Sequence, residues 1–216
     1  MFDVIVCGAR CAGAPTAMLL ARRGFKVLLV DKARFPSDTI STHILWPHGA
    51  EILKGWGLLE KLAATGLPPI CRRMTFDVGP FALCGTIPDA NDGMGGFCPR
   101  RTVLDTLLVE GAADAGVEVR EGFSVDELLM NDGIVTGIRG RAPGRQAIEE
   151  RGRIVIGADG VNSFVARALR VPAYDCQPVA ACCYYSYFSG IHQDDLELYV
   201  RDHYAFGGAP TNDGLH

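Results

Sequence analysis

The chain has 216 residues, 48% of them hydrophobic, enough for one large domain or two small ones around a real core. Its 25 acidic residues outnumber 21 basic ones, a formal net charge of −4, which argues against a nucleic-acid partner because phosphate neutralisation needs clustered Lys and Arg. No apolar run approaches the roughly 20 residues of a membrane-spanning helix, and the opening Met-Phe-Asp-Val-Ile-Val has neither a charged leader nor a cleavage site, so a soluble cytoplasmic protein with no membrane span is expected.

Residues Phe2 to Cys7 form a short apolar run ending at a glycine, the pattern of a buried strand. Gly13 to Arg23 carries Ala17, Leu20 and Ala21 at helical spacing and is closed by Gly24. Phe25 to Val30 reads as a second buried strand, ended by Asp31. Strand, helix and strand in so short a span make a βαβ unit with parallel strands. A second helix is expected near Pro47, a residue suited to the first helical position.

Cys71 to Val78 and Phe81 to Ile87 read as a hairpin turning at Gly79-Pro80, followed by a loop over Pro88 to Pro99. Arg100 to Ala115 is expected to be a helix with Leu104, Leu107 and Leu108 on one face. Short strands follow over Val117 to Val119, Phe123 to Leu129 and Gly133 to Arg139, the last two joined at Asn131-Asp132-Gly133. Arg153 to Gly157 reads as another buried strand and Asn162 to Leu169 as a short helix. The tail from Pro178 to Val200 is strand-like. In such a strand Cys183, Tyr185 and Tyr187 share one face, which reads as core packing or as a substrate wall.

The 8 cysteines include no Cys-x-x-Cys pair. They read as small buried hydrophobes in a reducing compartment, with a redox or metal role as the alternative.

The first loop reads Gly8-Ala9-Arg10-Cys11-Ala12-Gly13, against the Gly-x-Gly-x-x-Gly dinucleotide fingerprint. Gly8 permits the tight turn, and Gly13 lets helix and strand pack closely. Backbone amides and the helix amino terminus then face a pyrophosphate. Arg10 departs from the pattern at its middle position. Asp31, at the end of the second strand, is placed to accept from a ribose 2′-hydroxyl and disfavours a 2′-phosphate. A second signal is Gly157-Ala158-Asp159-Gly160 followed by Ser163 and Arg167: a buried strand ends in small residues and a helix begins. A ligand contact and a plain helix cap are both open there.

Together these features resemble the FAD-dependent monooxygenase family of the p-hydroxybenzoate hydroxylase type, including its geranylgeranyl-reductase-like and halogenase branches. The carriers are the Gly8 to Gly13 loop, Asp31 with Lys32 and Arg34, Pro99-Arg100-Arg101 with Leu104-Asp105, and Ile156 to Gly160 with Ser163. The resemblance covers most of residues 2 to 170, and arginine also occurs at the middle loop position in that family.

The resemblance implies that Gly8, Ala9, Arg10, Cys11, Ala12 and Gly13 hold the FAD pyrophosphate. Asp31 would hold the adenosine ribose, with Lys32 and Arg34 beside it, and Arg101 would reach the phosphate or ribityl region. Val125 would offer backbone to adenine. Asp159 and Gly160 would belong to the family's Asp-Gly motif. The plainer reading of Arg101 is an i, i+4 pair with Asp105. Ser41-Thr42-His43 falls where such proteins bring a loop near the flavin, and His43 is a candidate proton relay because imidazole titrates near neutrality. The halogenase Trp-x-Trp-x-Ile-Pro signature is missing; Tyr204 to Pro210, the comparable stretch, has no Trp.

The expected architecture is an α/β Rossmann-like FAD-binding domain with a parallel sheet (residues 1–70 and 98–174). A partial β-rich substrate domain (71–97 and 175–216) is expected beside it, truncated at its carboxyl end. The expected function is hydroxylation of an aromatic or polyketide-like substrate, with FAD as cofactor, NAD(P)H as transient electron donor and O₂. The alternatives are reduction of isoprenoid double bonds and a non-catalytic nucleotide-binding remnant. No metal is implied and no residue is assigned as catalytic.

Overall fold

The computed structural model describes residues 1–67, 73–86, 95–178, 181–193 and 195–216. The chain divides into two compact units, Met1–Ser37 with Leu104–Val179, and Asp38–Val103 with Ala180–His216. The expected domain division instead put residues 38–70 and 98–103 with the nucleotide-binding part.

In chain order the elements are β1 (Phe2–Cys7), α1 (Gly13–Ala21), β2 (Val27–Asp31), α2 (Pro47–Gly55), α3 (Leu59–Ala63), β3 (Arg73–Asp77), β4 (Ala82–Thr86), α4 (Arg101–Asp114), β5 (Glu118–Glu121), β6 (Ser124–Asn131), β7 (Ile134–Arg141), β8 (Ile148–Gly157), α5 (Phe164–Ala168), β9 (Leu196–Val200) and β10 (Ala205–Gly208).

The first unit is built on a six-stranded sheet in the order β5-β2-β1-β8-β7-β6. β1 runs parallel to β2, with Val4 opposite Val27 and Cys7 opposite Val30. It also runs parallel to β8, with Cys7 opposite Gly157. β5 adds parallel to β2. Strands buried on both faces read as unbroken apolar runs, which is why Phe2–Cys7 and Val27–Val30 were legible as strands.

β8 is longer than its apolar core implies. Its first part, Ile148–Arg151, pairs antiparallel with β7, and its second part, from Gly152, pairs with β1. At the changeover a Cβ on Gly152 would lie 2.9 Å from Ile5 Cγ1, so glycine permits the sheet to pass from one partner to the next.

Ile5, Leu28 and Ile138 have no exposed surface and share one core with Phe2, Val30, Phe123, Leu128 and Val165. Each such side chain contributes roughly 1.5–3 kcal/mol by leaving water.

The second unit holds a four-stranded sheet, β10-β9-β3-β4. The hairpin expected at Gly79-Pro80 is present as β3 and β4, with Phe76 opposite Leu83. Its outer residues Cys71 and Ile87, and the loop expected over residues 88–94, lie outside the described residues. β9 joins β3 in parallel, and β10 closes the order antiparallel to β9. α3 and β10 were not anticipated; α3 is a single short turn of helix, too short to show a period.

The strand-like tail is a correction. Among its described residues only Leu196–Val200 is a strand, and residues 181–193 make no ladder. The aromatic run there reflects packing of individual rings rather than β pairing. A second correction concerns the cysteines. Cys7 and Cys98 are buried, but Cys11, Cys84, Cys176, Cys182 and Cys183 are exposed.

Candidate functional site

The glycine loop leaves the carboxyl end of β1, and the Gly157–Gly160 loop leaves the carboxyl end of its neighbour β8. The two loops touch. A Cβ on Gly8 would lie 2.3 Å from the Ala158 carbonyl oxygen and 2.9 Å from Asp159 Cα. Gly8 also has φ +102°, a conformation natural to glycine. Ala158 N–H donates to the Cys7 carbonyl at 2.8 Å, joining the loops at their roots.

At the other end of the turn, a Cβ on Gly13 would lie 1.7 Å from the Gly8 carbonyl oxygen, so no other residue fits. α1 then starts with no side-chain cap: its N-cap is Ala12, which has no side-chain acceptor. The first amides of a helix lack intrahelical partners, and at this end they carry the positive end of the helix dipole.

Asp31 closes β2 and turns toward the same loop. Its Oδ2 accepts from Ala9 N–H at 2.7 Å and its Oδ1 from Ala33 N–H at 2.8 Å. Two carbonyls in this segment also hold the start of the meander: Asp31 O accepts from Phe123 N–H and Ala33 O from Gly122 N–H, both at 2.8 Å. Arg34, itself exposed, lays its guanidinium along Gly122, where a Cβ would meet Nε at 3.0 Å. Val125 follows two residues after Phe123 on β6, half-buried against the sheet core. Thus the loop, Asp31, Arg34 and the strand of Val125 converge on one end of the first unit's sheet. Lys32 is exposed.

Arg10 occupies the middle fingerprint position, and its side chain is fully engaged within the first unit. Nη1 forms an ion pair with Asp105 of α4 and donates to the Ser37 carbonyl at 3.2 Å. Nη2 donates to Ser37 Oγ at 3.0 Å, and the guanidinium lies over the Phe35 ring, 5.3 Å from its centroid. Asp105 has no exposed surface, and its other oxygen accepts from the Cys11 thiol at 3.4 Å. The arginine therefore fastens the glycine loop to α4 and to the segment after β2.

Asp159 shows a helix cap. Its carboxylate accepts from Phe164 N–H at 2.7 Å, from Val165 N–H at 3.2 Å and from Ser163 Oγ. Ser163 in turn caps α5 through Ala166 N–H at 3.0 Å. The Asp159 side chain is thus committed to α5, while its backbone and that of Ala158 press on Gly8. Gly160 takes φ +86° with open space where a Cβ would be. Arg101 opens α4 and is half-buried.

The second unit holds a separate polar cluster. His43 Nε2 and Tyr187 Oη are 2.7 Å apart, and His43 Nδ1 lies 2.8 Å from the Ser41 carbonyl. The Arg100 guanidinium sits 4.6 Å from the Tyr187 ring centroid. Sequence reasoning flagged His43 and set Tyr185 and Tyr187 on one strand face, but did not connect them, because they lie in chain segments with no regular spacing to one another. An acid between Leu104 and Leu107 on an apolar helix face calls for a cation, but nothing in the sequence points to Arg10, 95 positions away, as that cation.

Among the described residues no group of three or more His, Cys, Asp or Glu is placed to hold a metal, and no helix is long and apolar enough to cross a membrane.

Residues 1–207 match the family model described as FAD binding domain. The chain belongs to this FAD-binding family. Within it, the chain is 31% identical to a digeranylgeranylglycerophospholipid reductase of Methanosarcina mazei over 96% of its length, and 28% identical to the protein FixC of Escherichia coli over 78%. It spans 50% and 39% of those two proteins, so about half or less of each curated relative.

Among solved structures, the myxobacterial chondrochloren halogenase CndH superposes with a TM-score of 0.81 at 25% identity, covering 99% of this chain and 51% of that one. PqsL of Pseudomonas aeruginosa, described as a probable FAD-dependent monooxygenase, gives 0.77 at 21%, covering 99% and 58%. The latter likeness is one of fold. The α/β Rossmann-like architecture is that of FAD-dependent oxidoreductases, and a backbone loop with glycines at Gly8 and Gly13, where a side chain would collide with backbone, ahead of an uncapped helix start is chemistry that fits a pyrophosphate.

Proposed function

We propose that this chain holds FAD at the ends of β1, β2 and β8 and serves an oxidoreductase acting on a small organic substrate. The observation that carries the reading is the joint geometry of Gly8, Gly13 and Asp31: a tight, uncapped loop with an acid hydrogen-bonded to its first amide. In this reading the backbone of Ala9, Arg10, Cys11 and Ala12 faces the pyrophosphate. Asp31 takes the adenosine ribose, Arg34 and Lys32 flank the adenosine, and the Val125 strand borders the adenine. The backbone of Asp159 and Gly160 closes the opposite side, and Arg101 reaches the phosphate or ribityl part.

Bound flavin supplies the electron transfer between a nicotinamide donor and the substrate. The chain's own residues fix its position and keep the diphosphate neutralised. With NAD(P)H and O₂ the product is a hydroxylated aromatic or polyketide-like compound. A second reading, reduction of isoprenoid double bonds, is favoured by the 31% identity to the archaeal reductase.

The visible spectrum of the purified protein tests the first step, and flavin bands are expected. NAD(P)H loss with and without O₂ then separates the readings: consumption that needs O₂ supports hydroxylation, and consumption that proceeds anaerobically with a prenyl acceptor supports reduction. A colourless protein that fails to take up added FAD overturns both.

A further inference from the structure

Among the described residues, the edge strands of the two sheets are not alike. β5 carries Glu118, Arg120 and Glu121, with Arg120 paired to Glu118 and Glu150. β6 is bulged and carries Asp126 and Glu127. β10 is short, and the Gln193 amide donates to its last carbonyl, Gly208, at 2.8 Å. Charge, bulges and shortness keep an edge from pairing with another chain. β4 lacks all of them. It reads Ala82-Leu83-Cys84-Gly85-Thr86, uncharged, unbulged and exposed along its whole length, and it ends the sheet of the second unit.

The hairpin fixes which backbone groups face outward. Val78 N–H donates to the Phe81 carbonyl at 3.0 Å, and hydrogen-bonded pairs alternate along an antiparallel ladder. Leu83 and Gly85, opposite Phe76 and Met74, therefore direct their N–H and C=O groups to β3. Ala82, Cys84 and Thr86 turn theirs to the outer edge, at the spacing another antiparallel strand requires.

We propose that β4 is an interaction edge for a second copy of this chain, pairing antiparallel with its own β4 about a twofold axis at Cys84. Full overlap of the strand occurs in one register: Ala82 opposite Thr86 of the second copy, Leu83 opposite Gly85, and Cys84 opposite Cys84. Every outward-facing residue then meets an outward-facing one. The side chains agree with that register. Leu83, 61% exposed, comes to lie across from Gly85, where a Cβ would meet nothing within 4 Å. Gly85 has no positive φ to explain it, and a glycine inside a strand marks close approach of another backbone.

Charge selects the direction. Thr86 stands beside Arg73 and Ala82 beside Asp77, so antiparallel pairing sets the basic end of one hairpin against the acidic end of the other, whereas parallel pairing would set like ends together. Arg201 already holds Asp77 at 2.9 Å, so the charges choose orientation rather than add strength. The edge is about 17 Å long, at the small end of specific interfaces, so a reversible dimer forming at roughly 0.1 mM is expected. Cys84 lies on the axis, where a hydrogen-bonded antiparallel pair holds its Cα atoms about 5.5 Å apart, a separation that suits a disulfide.

Sedimentation velocity of the full chain between about 10 µM and 1 mM should show monomer giving way to dimer. Leu83→Lys, which sets a charge on the exposed edge, should weaken association about tenfold or more. Amide exchange in the wild type gives an independent reading. As concentration rises, the amides of Ala82, Cys84 and Thr86 should slow, while those of Leu83 and Gly85, bonded to β3, stay as they are. Oxidised glutathione converts two thiols to one disulfide and releases two reduced glutathiones, so it should lock the dimer through Cys84, as peptide mapping reads. Cys84→Ser should still dimerise reversibly. A chain that is monomeric at every concentration overturns the proposal. So does a dimer whose three outward amides exchange as fast as in the monomer, or whose cross-links join Cys11, Cys176, Cys182 or Cys183 instead. None of these readings needs flavin, so the dimer stands or falls apart from the FAD reading.

Discussion

Arg10 and Asp105 form an ion pair between the glycine loop and helix α4, and each accounts for the other. The fingerprint asks for glycine at position 10, yet a glycine there would take the Arg10 guanidinium away from a fully buried carboxylate. Asp105 is buried and Arg10 only partly so; a pair shielded in this way adds little over a well-packed apolar pair, but removing one partner is costly. Arg10→Ala and Asp105→Leu should each destabilise the protein by about 3–5 kcal/mol, and Arg10→Met/Asp105→Leu should recover most of that loss. Urea midpoints of the three variants test this; single variants that unfold like the wild type would show that the pair is not buried in solution.

The two loop glycines should behave unlike a glycine in open space. A Cβ at Gly13 has nowhere to go, being 1.7 Å from the Gly8 carbonyl oxygen, so Gly13→Ala must shift the loop backbone proposed to hold the cofactor. Gly24 closes the chain after α1 with φ +87° and open space where a Cβ would stand, so Gly24→Ala carries only the left-handed backbone cost of roughly 1–2 kcal/mol. After gel filtration, Gly13→Ala is expected to have lost its flavin bands and Gly24→Ala to have kept them. Equal flavin content in both would detach Gly13 from the cofactor.

Elements with a strong local period were legible in the sequence. β1, β2 and α4 could be read because buried parallel strands are apolar runs and helices repeat their apolar positions. The sequence marked both the Gly8 and the Ala158 loops as following buried strands, but not that β1 and β8 are parallel neighbours, which is what brings the loops together. What was not legible was long-range polar pairing. Nothing local connects Arg10 with Asp105, or His43 with Tyr187. The side chain of Asp159 illustrates a third case, because ligand contact and helix capping need the same acid after a strand, and only the geometry shows its bonds to Phe164 and Val165.

Asp31 should matter for cofactor affinity more than its charged neighbour. Both of its oxygens accept backbone N–H groups, and an amide in its place would set a donor against one of them. Hydrogen bonds to a charged group contribute about 1.5–3 kcal/mol, so Asp31→Asn should raise the FAD dissociation constant roughly 10- to 100-fold. Exposed Lys32 should change it by about twofold when replaced by alanine. Flavin fluorescence titration of the apoprotein measures both; an Asp31→Asn protein with wild-type affinity would remove Asp31 from the ribose site.

Among the described cysteines, Cys84 should be the fast-reacting thiol. It is exposed on β4, where the Thr75 hydroxyl at 3.6 Å and Arg73 Nη2 at 3.0 Å donate to its sulfur. Those hydrogen bonds, first from Thr75 and then from Arg73, hold its pKa below the ordinary thiol value. Cys7 is the opposite case: burial, with a smaller push from Asp159, raises it to about 12. Only the thiolate attacks, so a lowered pKa shifts the rise of the alkylation rate to lower pH. At neutral pH iodoacetamide should modify Cys84 ahead of exposed Cys176, Cys182 and Cys183, and Cys7 should survive in the folded protein. Thr75→Val and Arg73→Ala should each move the Cys84 profile back toward higher pH. Peptide mapping by mass spectrometry over a pH series gives the rates, and a Cys84 profile that neither variant moves would mean that the donors do not act on the sulfur.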